Sequence, residues 1–381
     1  MPSDRLIDGS SEDIEMQLVQ LAASNDSKVA NPLGDQPIPE RVRSDLAFIA
    51  WNISGTCNLR CTHCYLDAGF TVKEEPPLDV KVRVVAEAKH LGVKMIFLAG
   101  GEPFLARGFW PLLLSIRDHG IAPCVNTNGT VLSSKTAERL VDNGVCHISI
   151  GIDATTADIH DGLRGSGNLA KTVQGIRVCA DHSMSVNLDY TLTALNYKTL
   201  NDVPRWAREA GCSRVTLKRF VPRGRPGVSY EKWELTREML REALTIWAEL
   251  METETDIQLY SHDPLLLAYL HSIGRAVPPE RSLRLDCNAG AYTRGWLGIS
   301  PSGDVQPCPI MTEVVVGNIC THTLRECLNT VPFMRLRNIA YDPPGKCNGC
   351  PHLSVCRGGC KAYTRRVTPN YYEPDPLCWL R

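Results

Sequence analysis

The sequence predicts an α/β fold in which parallel strands alternate with helices, followed by a cysteine-rich C-terminal segment. Between residues 46 and 250, six short strand-like runs are each followed by a helical pattern. The runs are nearly continuous in apolar residues, which is typical of parallel strands covered by helices on both faces. Beyond residue 286, turn residues and cysteines dominate, and apolar residues are too sparse for a separate core.

The chain divides into four predicted segments. Residues 1–45 are rich in Asp, Ser, Asn and Pro, which predicts a flexible N-terminal arm. The α/β unit occupies residues 46–250, and we expect a helical linker over 251–285. Residues 286–381 form the cysteine-rich domain, which a metal would have to organise. The predicted strands are 46–52, 95–100, 122–127, 147–152, 186–192 and 213–220, and the predicted helices are 78–91, 109–118, 134–142, 168–180, 199–209 and 233–250.

Six strand–helix units leave two architectures open. They fall short of the eight units of a closed barrel, so they predict either a partial barrel or a doubly wound sheet. In both architectures, ligands bind at the carboxyl ends of the strands. Motifs that directly follow a predicted strand are therefore the candidates for a functional site.

Composition and charge exclude several classes of function. The chain has 381 residues, 43% of them apolar, and its net charge of −1 does not favour a nucleic-acid partner. No run approaches the roughly 20 apolar residues of a membrane helix. The acidic N-terminus lacks the regions of a signal peptide, so we expect a cytoplasmic protein. In that reducing compartment, 16 cysteines indicate metal or redox chemistry rather than disulfides.

The first cysteine cluster, Cys57, Cys61 and Cys64, directly follows the first predicted strand. Its CX3CX2C spacing supplies three thiolates, so a 4Fe–4S cluster held there would keep one iron open. That iron can chelate the amino and carboxylate groups of S-adenosylmethionine, and an electron from the cluster can then release a 5′-deoxyadenosyl radical. A zinc site is the alternative, but zinc prefers a closed tetrahedron of four ligands.

The motif CNLRCTHCY, which includes Tyr65, resembles the signature of the radical S-adenosylmethionine (radical SAM) superfamily. At the end of the second predicted strand, Gly100, Gly101, Glu102 and Pro103 resemble the GGEP motif of that family. The resemblance implies a partial (β/α)6 TIM-like barrel for this part of the chain. It also implies that the GGEP backbone contacts the methionine amino group, with glycines allowing a ligand to approach closely.

Weaker matches lie at the ends of later strands. By the same resemblance, Asn128, Ser149 and Asp153 are candidates for holding the ribose hydroxyls of the cofactor. Arg164, in the segment HDGLRG, resembles the loop arginine that reaches the cofactor carboxylate. Ordinary turn and cap roles are the alternative for all four residues.

The C-terminal cysteines have a paired spacing that suits two zinc ions or two iron–sulfur clusters, because thiolate softness alone does not choose between them. The pattern resembles the SPASM domain, a C-terminal extension of many radical SAM enzymes that holds two auxiliary 4Fe–4S clusters. The inner cluster would then have either a non-cysteine fourth ligand or an open iron that could bind substrate. By this resemblance the outer cluster is bound by Cys347, Cys350, Cys356 and Cys378, and the inner cluster by Cys287, Cys308 and Cys360.

The resemblance implies an iron–sulfur enzyme with three 4Fe–4S clusters that cleaves S-adenosylmethionine, abstracts a substrate hydrogen and uses a flavodoxin- or ferredoxin-like electron donor. The segments ISPSGDVQPCPIM, VGNI and PNYYEPDPLC resemble enzymes of haem d1 and alternative haem biosynthesis. This favours oxidative decarboxylation or bond formation on a tetrapyrrole. Maturation of a ribosomally made peptide and modification of a small secondary metabolite are the alternatives. A non-catalytic electron carrier would have no need of an open iron.

Basic residues near the end of the sixth predicted strand are candidates for substrate binding. Lys218, Arg219, Arg223 and Arg225 could neutralise carboxylates or phosphates of a substrate. A solvated basic loop is the alternative. The sequence does not single out a general acid or base.

Overall fold

Seven parallel strands follow one another across a single sheet in the computed structural model, which describes residues 46–69, 74–225, 228–275, 295–337 and 345–380. Each strand is hydrogen-bonded to the next one in chain order. A doubly wound sheet reverses its strand order at a switch point. The unbroken order excludes that alternative and confirms the open barrel. The strands are β1 (Leu46–Asn52), β2 (Met95–Ala99), β3 (Ala122–Thr127), β4 (His147–Ile152), β5 (Ser185–Leu192), β6 (Arg214–Arg219) and β7 (Gln258–Ser261).

Helices connect the parallel strands, and side chains cap several of them. Ser133 accepts a hydrogen bond from the backbone N–H of Thr136 at the start of α3, and Asp263 does the same for Leu265 at the start of α8. Pro264 takes the first position of α8, where no backbone N–H is needed. These helices are α1 (Leu78–His90), α2 (Phe109–Asp118), α3 (Ser134–Asp142), α4 (Ala157–Arg164), α5 (Asn168–Asp181), α6 (Val203–Ala210), α7 (Arg237–Thr253) and α8 (Pro264–Ser272).

The C-terminal region extends the same sheet. β8 (Gly295–Ile299) pairs in parallel with β1, and β9 (Asp304–Gln306) and β10 (Gly317–Asn318) add antiparallel strands beyond it. Thr323 and Glu326 form a capping box at the start of the first short helix that follows. The short helices are α9 (Leu324–Leu328), α10 (Val331–Arg337), α11 (Leu353–Cys356) and α12 (Lys361–Val367).

One continuous hydrophobic core joins the barrel to the C-terminal region. Trp51 of β1, Trp247 of α7 and Phe333 of α10 are all fully buried within it. The indole N–H of Trp247 donates to the backbone oxygen of Tyr260 at 3.0 Å, so this large side chain is buried with its donor satisfied. The barrel therefore holds the C-terminal region in place through packing as well as through the sheet.

The structure corrects two of the predicted elements. The linker expected over 251–285 contains β7 and α8, and β7 pairs with β6. The segment around Arg164, expected to be a loop, is helix α4, whose buried side chains His160 and Leu163 are one turn apart. The predicted arm over 1–45 and the predicted ligand Cys287 lie outside the described residues. No helix in the described ranges is long and apolar enough to cross a membrane.

Candidate active site at the carboxyl ends of the strands

The three cysteines of the CX3CX2C motif lie on the loop that follows β1, which we call the cluster loop (residues 53–69). Cys57, Cys61 and Cys64 pack with Leu59 and Ala68 in a small hydrophobic cluster. The backbone N–H groups of Leu59 and Ala68 donate to the sulfurs of Cys57 and Cys64, at 3.4 and 3.3 Å. Burial raises the pKa of Cys61 to about 12, and a bound metal cation reverses this by replacing the thiol proton. The loop thus offers three sulfurs that suit a metal cluster.

The three cysteines are a donor set that suits an iron–sulfur cluster. In the described ranges, no three His, Cys, Asp or Glu side chains converge closely enough to hold one metal ion. A 4Fe–4S cluster binds its thiolates at separate irons, so its ligands need not converge on one point. His63 lies between the cysteines but contacts Asp153, with 3.3 Å between Nε2 and Oδ2. Tyr65 donates to the side-chain oxygen of Asn52 at 2.9 Å, which ties the cluster loop to β1.

The glycines of the GGEP motif allow the cluster loop to approach the end of β2. A Cβ atom on Gly100 would lie 2.5 Å from the Ser54 oxygen, and one on Gly101 would lie 2.2 Å from the Thr56 oxygen. The backbone N–H groups of Gly101 and Glu102 donate to those same two oxygens, both at 2.8 Å. The close approach that we predicted for a ligand is made here by the backbone of the cluster loop.

Glu102 links the carboxyl ends of β2 and β3. Its carboxylate accepts hydrogen bonds from Thr127 Oγ1 at 2.8 and 2.9 Å and from the backbone N–H of Asn128 at 2.9 Å. Burial raises the pKa of Glu102 to about 7, against the opposing effect of these hydrogen bonds. Pro103 begins a short 3-10 helix directly afterwards, which Glu102 caps. Glu102 is therefore a buried residue that connects the end of β2 to the end of β3.

Asn128 and Ser149, two of the three predicted ribose contacts, both have protein partners. The Asn128 side-chain nitrogen donates to Asn58 Oδ1 at 2.9 Å and lies 3.8 Å from Cys57 Sγ. Ser149, on β4, accepts a hydrogen bond from the Asn187 side chain at 3.1 Å. Asn128 is therefore adjacent to the first cysteine, and both ribose contacts stay predictions.

Asp153, just after β4, and Arg164, the last residue of α4, form a buried ion pair. The Nε and Nη2 atoms of Arg164 lie 2.6 and 3.1 Å from the two Asp153 oxygens. Although burial opposes it, the Arg164 guanidinium and then His63 hold the pKa of Asp153 well below its usual range. The guanidinium fills the space beside Gly151, where a Cβ atom would lie 2.7 Å from Nη2. This pair places a fixed cation close to the cluster loop.

Four C-terminal cysteines surround one cavity. They come from the 3-10 turn Gly345–Cys347, the loop after it, helix α11 and the C-terminal tail. Leu265 and Ala268 of α8 close the cavity on the barrel side. Burial raises the pKa of Cys356 to about 11, as expected for a thiol that carries no metal. The structure thus brings together the full set predicted for the outer cluster, Cys347, Cys350, Cys356 and Cys378.

Cys308 and Cys360, two of the predicted inner ligands, interact with each other electrostatically. Burial raises the pKa of Cys308 to about 12, and the nearby Cys360 adds to this rise. The backbone at Cys308 packs closely on β8, where a Cβ atom on Gly298 would lie 3.0 Å from the Cys308 carbonyl carbon. The third predicted ligand, Cys287, is outside the described residues, so the inner set stays a prediction.

The basic residues predicted to bind substrate are largely engaged within the protein. Lys218 pairs with Asp189 at 2.5 Å, and Arg219 is buried in an ion-pair network. Arg225 binds the cluster loop, donating from Nε to the Cys61 oxygen at 3.0 Å.

Two arginines that the sequence did not single out line a cavity beside them. Arg365 and Arg366 of α12 face Arg223 and Arg225 across a cavity of about 420 Å³. The paired arginines have no motif around them, and only the fold brings α12 against the loop after β6.

We predict that Gly224→Ala pushes the loop after β6 away from the cluster loop. Gly224 has φ +114°, and a Cβ atom there would lie 1.9 Å from the Cys64 oxygen. The control is Gly92→Ala, because Gly92 has φ +81° and nothing within 4 Å of its Cβ position. Denaturant unfolding of both variants should show an additional loss of about 1–3 kcal/mol for Gly224→Ala, the usual cost of overpacking. Equal losses would mean that only the backbone angle matters.

Family models and known proteins are similar to this chain over most of its length. The radical SAM superfamily model matches residues 51–210, and the SPASM iron–sulfur cluster-binding model matches residues 287–351. The AdoMet-dependent heme synthase of Methanosarcina barkeri is 28% identical, over 87% of this chain and 96% of its own. The mycofactocin maturase MftC of Mycobacterium ulcerans is 26% identical, over 87% of each chain. Streptococcus suis SuiB bound to its precursor peptide SuiA has a TM-score of 0.68, with 16% identity over 97% of this chain and 88% of that one.

These similarities agree with the geometry of the site. The SuiB likeness shows the fold. The radical SAM model covers the three barrel cysteines, and the SPASM model covers the C-terminal segment from Cys287 to Cys350. A radical SAM domain implies a 4Fe–4S cluster and S-adenosylmethionine, and a SPASM domain implies auxiliary iron–sulfur clusters. The predicted family and the prediction of an enzyme are confirmed. The chain carries a radical SAM domain and a C-terminal SPASM domain.

Proposed function

We propose that this enzyme oxidatively modifies a carboxylate-bearing tetrapyrrole, by decarboxylation or by bond formation. The observation that carries the proposal is that β1, which leads into the cluster loop, and Leu265, which lines the cavity of four cysteines, belong to one packed core. This arrangement supports a substrate held between the barrel and the C-terminal region. The similarity to a relative named AdoMet-dependent heme synthase favours a tetrapyrrole as that substrate.

The proposed cofactors are three 4Fe–4S clusters and S-adenosylmethionine. When bound, the barrel cluster and S-adenosylmethionine supply a 5′-deoxyadenosyl radical that abstracts a hydrogen from the substrate. The auxiliary clusters would position the substrate or accept the electron released by its oxidation. We propose that the catalytic barrel extends beyond the predicted 46–250 to include β7 and α8, and that residues 286–381 are the auxiliary-cluster domain. A flavodoxin- or ferredoxin-like protein is the proposed electron donor. The proposed ligands are Cys57, Cys61 and Cys64 in the barrel, Cys347, Cys350, Cys356 and Cys378 for the outer cluster, and Cys287, Cys308 and Cys360 for the inner cluster.

The residues around the cluster loop would hold S-adenosylmethionine. Arg164 uses Nε and Nη2 on Asp153, and its Nη1 has no hydrogen-bond partner among the described residues. That nitrogen would bind the methionine carboxylate, while Asp153 keeps the guanidinium in position. The backbone from Gly100 to Pro103 would contact the amino group, and Asn128 and Ser149 are the proposed ribose contacts.

A ribosomally made peptide is the second candidate substrate. It is favoured by the similarity to a relative named mycofactocin maturase, and SuiB, a protein of the same fold, binds a precursor peptide. A peptide and a tetrapyrrole both carry carboxylates, so the two candidates share the need for basic groups near the cluster loop. Direct turnover has to distinguish them.

One anaerobic preparation tests the proposal. About 12 irons per chain with matching sulfide, together with 5′-deoxyadenosine formation, is the result expected for three clusters. A porphyrin with propionate side chains should raise 5′-deoxyadenosine formation and lose CO2 in mass spectrometry, whereas its methyl ester should not. About four irons per chain plus zinc would mean that the C-terminal cysteines bind zinc, and the electron-acceptor role proposed for the auxiliary clusters would be wrong. Stimulation by a peptide alone would contradict the tetrapyrrole proposal.

A further inference from the structure

We propose that a cavity between the loop after β6 and α12 binds two carboxylate groups of the substrate. We call it the arginine cavity, and the inference rests on the proposed function. It measures about 420 Å³, within the usual range for small-molecule sites. Its polar lining consists of Arg223, Arg225, Tyr230, Glu313, Arg365 and Arg366.

The charges of the arginine cavity are not balanced by the groups that line it. Glu313 is the carboxylate among the described lining residues, and it is shared by Arg223 and Arg365. Its contact with Arg365 is loose, at 3.6 Å. Arg225 is paired with Asp67 of the cluster loop, at 2.6 Å. Four guanidinium groups thus face two carboxylates, and the excess positive charge favours an anionic ligand.

Arg365 and Arg366 supply the donors that remain for such a ligand. The Nε atom of Arg366 donates to the Pro222 oxygen, which fixes the direction of its guanidinium. Arg365 contacts Glu313 through Nε, and Arg366 contacts Pro222 through Nε. Among the described residues, neither guanidinium has a further hydrogen-bond or ion-pair partner. A guanidinium presents parallel N–H groups that match both oxygens of a carboxylate. Two adjacent arginines can therefore hold two carboxylates on one molecule.

Arg225 connects the lining of the arginine cavity to the cluster loop. Arg225 donates to the backbone oxygens of Cys61 and Ala68, at 3.0 and 2.9 Å. Tyr230 donates to the Arg225 oxygen at 3.1 Å, which holds the loop after β6 in this position. A ligand anchored by Arg365 and Arg366 would therefore be held next to the loop that carries the barrel cysteines. The cavity is placed to orient a substrate for hydrogen abstraction.

The test is a binding titration of the double variant Arg365→Gln, Arg366→Gln with the propionate-bearing porphyrin, followed by absorbance under anaerobic conditions. We expect Kd to rise by about 10- to 100-fold, because two charge-assisted hydrogen-bonding groups are lost. The control is Arg117→Gln, which removes an exposed arginine paired with Asp118 elsewhere on the surface. The double variant Arg365→Lys, Arg366→Lys should recover part of the affinity, since the charge remains and the paired geometry is lost.

The outcomes separate this inference from the proposed function. Equal porphyrin affinity of wild type and the Gln double variant would overturn the inference, as would equal affinity of wild type for the methyl ester. Displacement of the porphyrin by inorganic phosphate at a far lower concentration than by acetate would assign the site to phosphate and also overturn it. If wild type binds an acidic peptide but no porphyrin, and the Gln double variant loses that binding, the carboxylate site stands and the tetrapyrrole substrate falls.

Discussion

Replacing Cys57, Cys61 and Cys64 together by alanine is expected to abolish 5′-deoxyadenosine formation. The three sulfurs lie on one loop at the end of β1, and alanine leaves no thiolate there to bind iron. Formation of 5′-deoxyadenosine by reduced, anaerobically reconstituted protein is the direct measurement. The iron content should fall by about four atoms per chain relative to wild type, which reports loss of one cluster independently of activity.

The outer cysteines provide the contrasting variants. Cys347→Ala or Cys378→Ala should also lower iron content and should damage folding or turnover, yet leave some cleavage of S-adenosylmethionine uncoupled from product. Cys146→Ala is the control for a cysteine outside both motifs, and it should change neither iron nor cleavage. Unaltered cleavage in the triple barrel variant would refute the proposed cofactor site, and unaltered turnover in Cys347→Ala would refute the outer-cluster assignment.

Arg219→Met is expected to destabilise the protein strongly, because it breaks a buried network of charges. Arg219 of β6 binds Asp263 at 2.6 Å through Nε and Nη2, and Asp375 at 2.9 and 3.1 Å through Nη1. All three side chains are at most 3% exposed. Removing the cation leaves two buried carboxylates unpaired, which costs about 3–5 kcal/mol. Denaturant unfolding of the wild type and the variant measures this loss.

An exposed pair of the same kind is the control. Arg205 lies 2.8 Å from Asp202, but their side chains are 66% and 59% exposed, so Arg205→Met should cost less than about 1 kcal/mol. Adding Asp263→Asn and Asp375→Asn to Arg219→Met should recover part of the lost stability, because the buried charges are then gone. A loss of similar size in Arg205→Met and Arg219→Met would show that burial of the charges is not the cause.

The sequence predicted best what depends on neighbouring residues. The bounds of β3 and β4 match the predicted runs, and the CX3CX2C spacing located the cluster loop. Strand β7 escaped prediction because it has four residues, QLYS, and two of them are polar. The pairing of Asp153 with Arg164 was also not predicted, because the segment that forms α4 has few apolar residues and was predicted to be a loop.

Sites built from distant segments of the chain could not be predicted from local sequence patterns. Arg366 meets Pro222 across 144 positions of the chain, so no local pattern could link α12 to the loop after β6. The cavity of the outer cysteines likewise combines a local sequence pattern with a contact between distant segments. Its four sulfurs follow a local spacing, but its barrel-side wall, Leu265 and Ala268, comes from a helix that the sequence left inside a linker.

The parallel pairing of β1 with β8 has a consequence for how the chain is synthesised. β1 is the first strand of the described sheet to leave the ribosome, while its partner on one side, β8, is made only after all seven barrel strands. At about 5–20 residues per second, that edge of β1 waits on the order of ten seconds or more with unpaired backbone groups. An open edge of this kind invites pairing with another nascent chain. The C-terminal region therefore protects the first strand from aggregation as well as carrying the auxiliary cysteines.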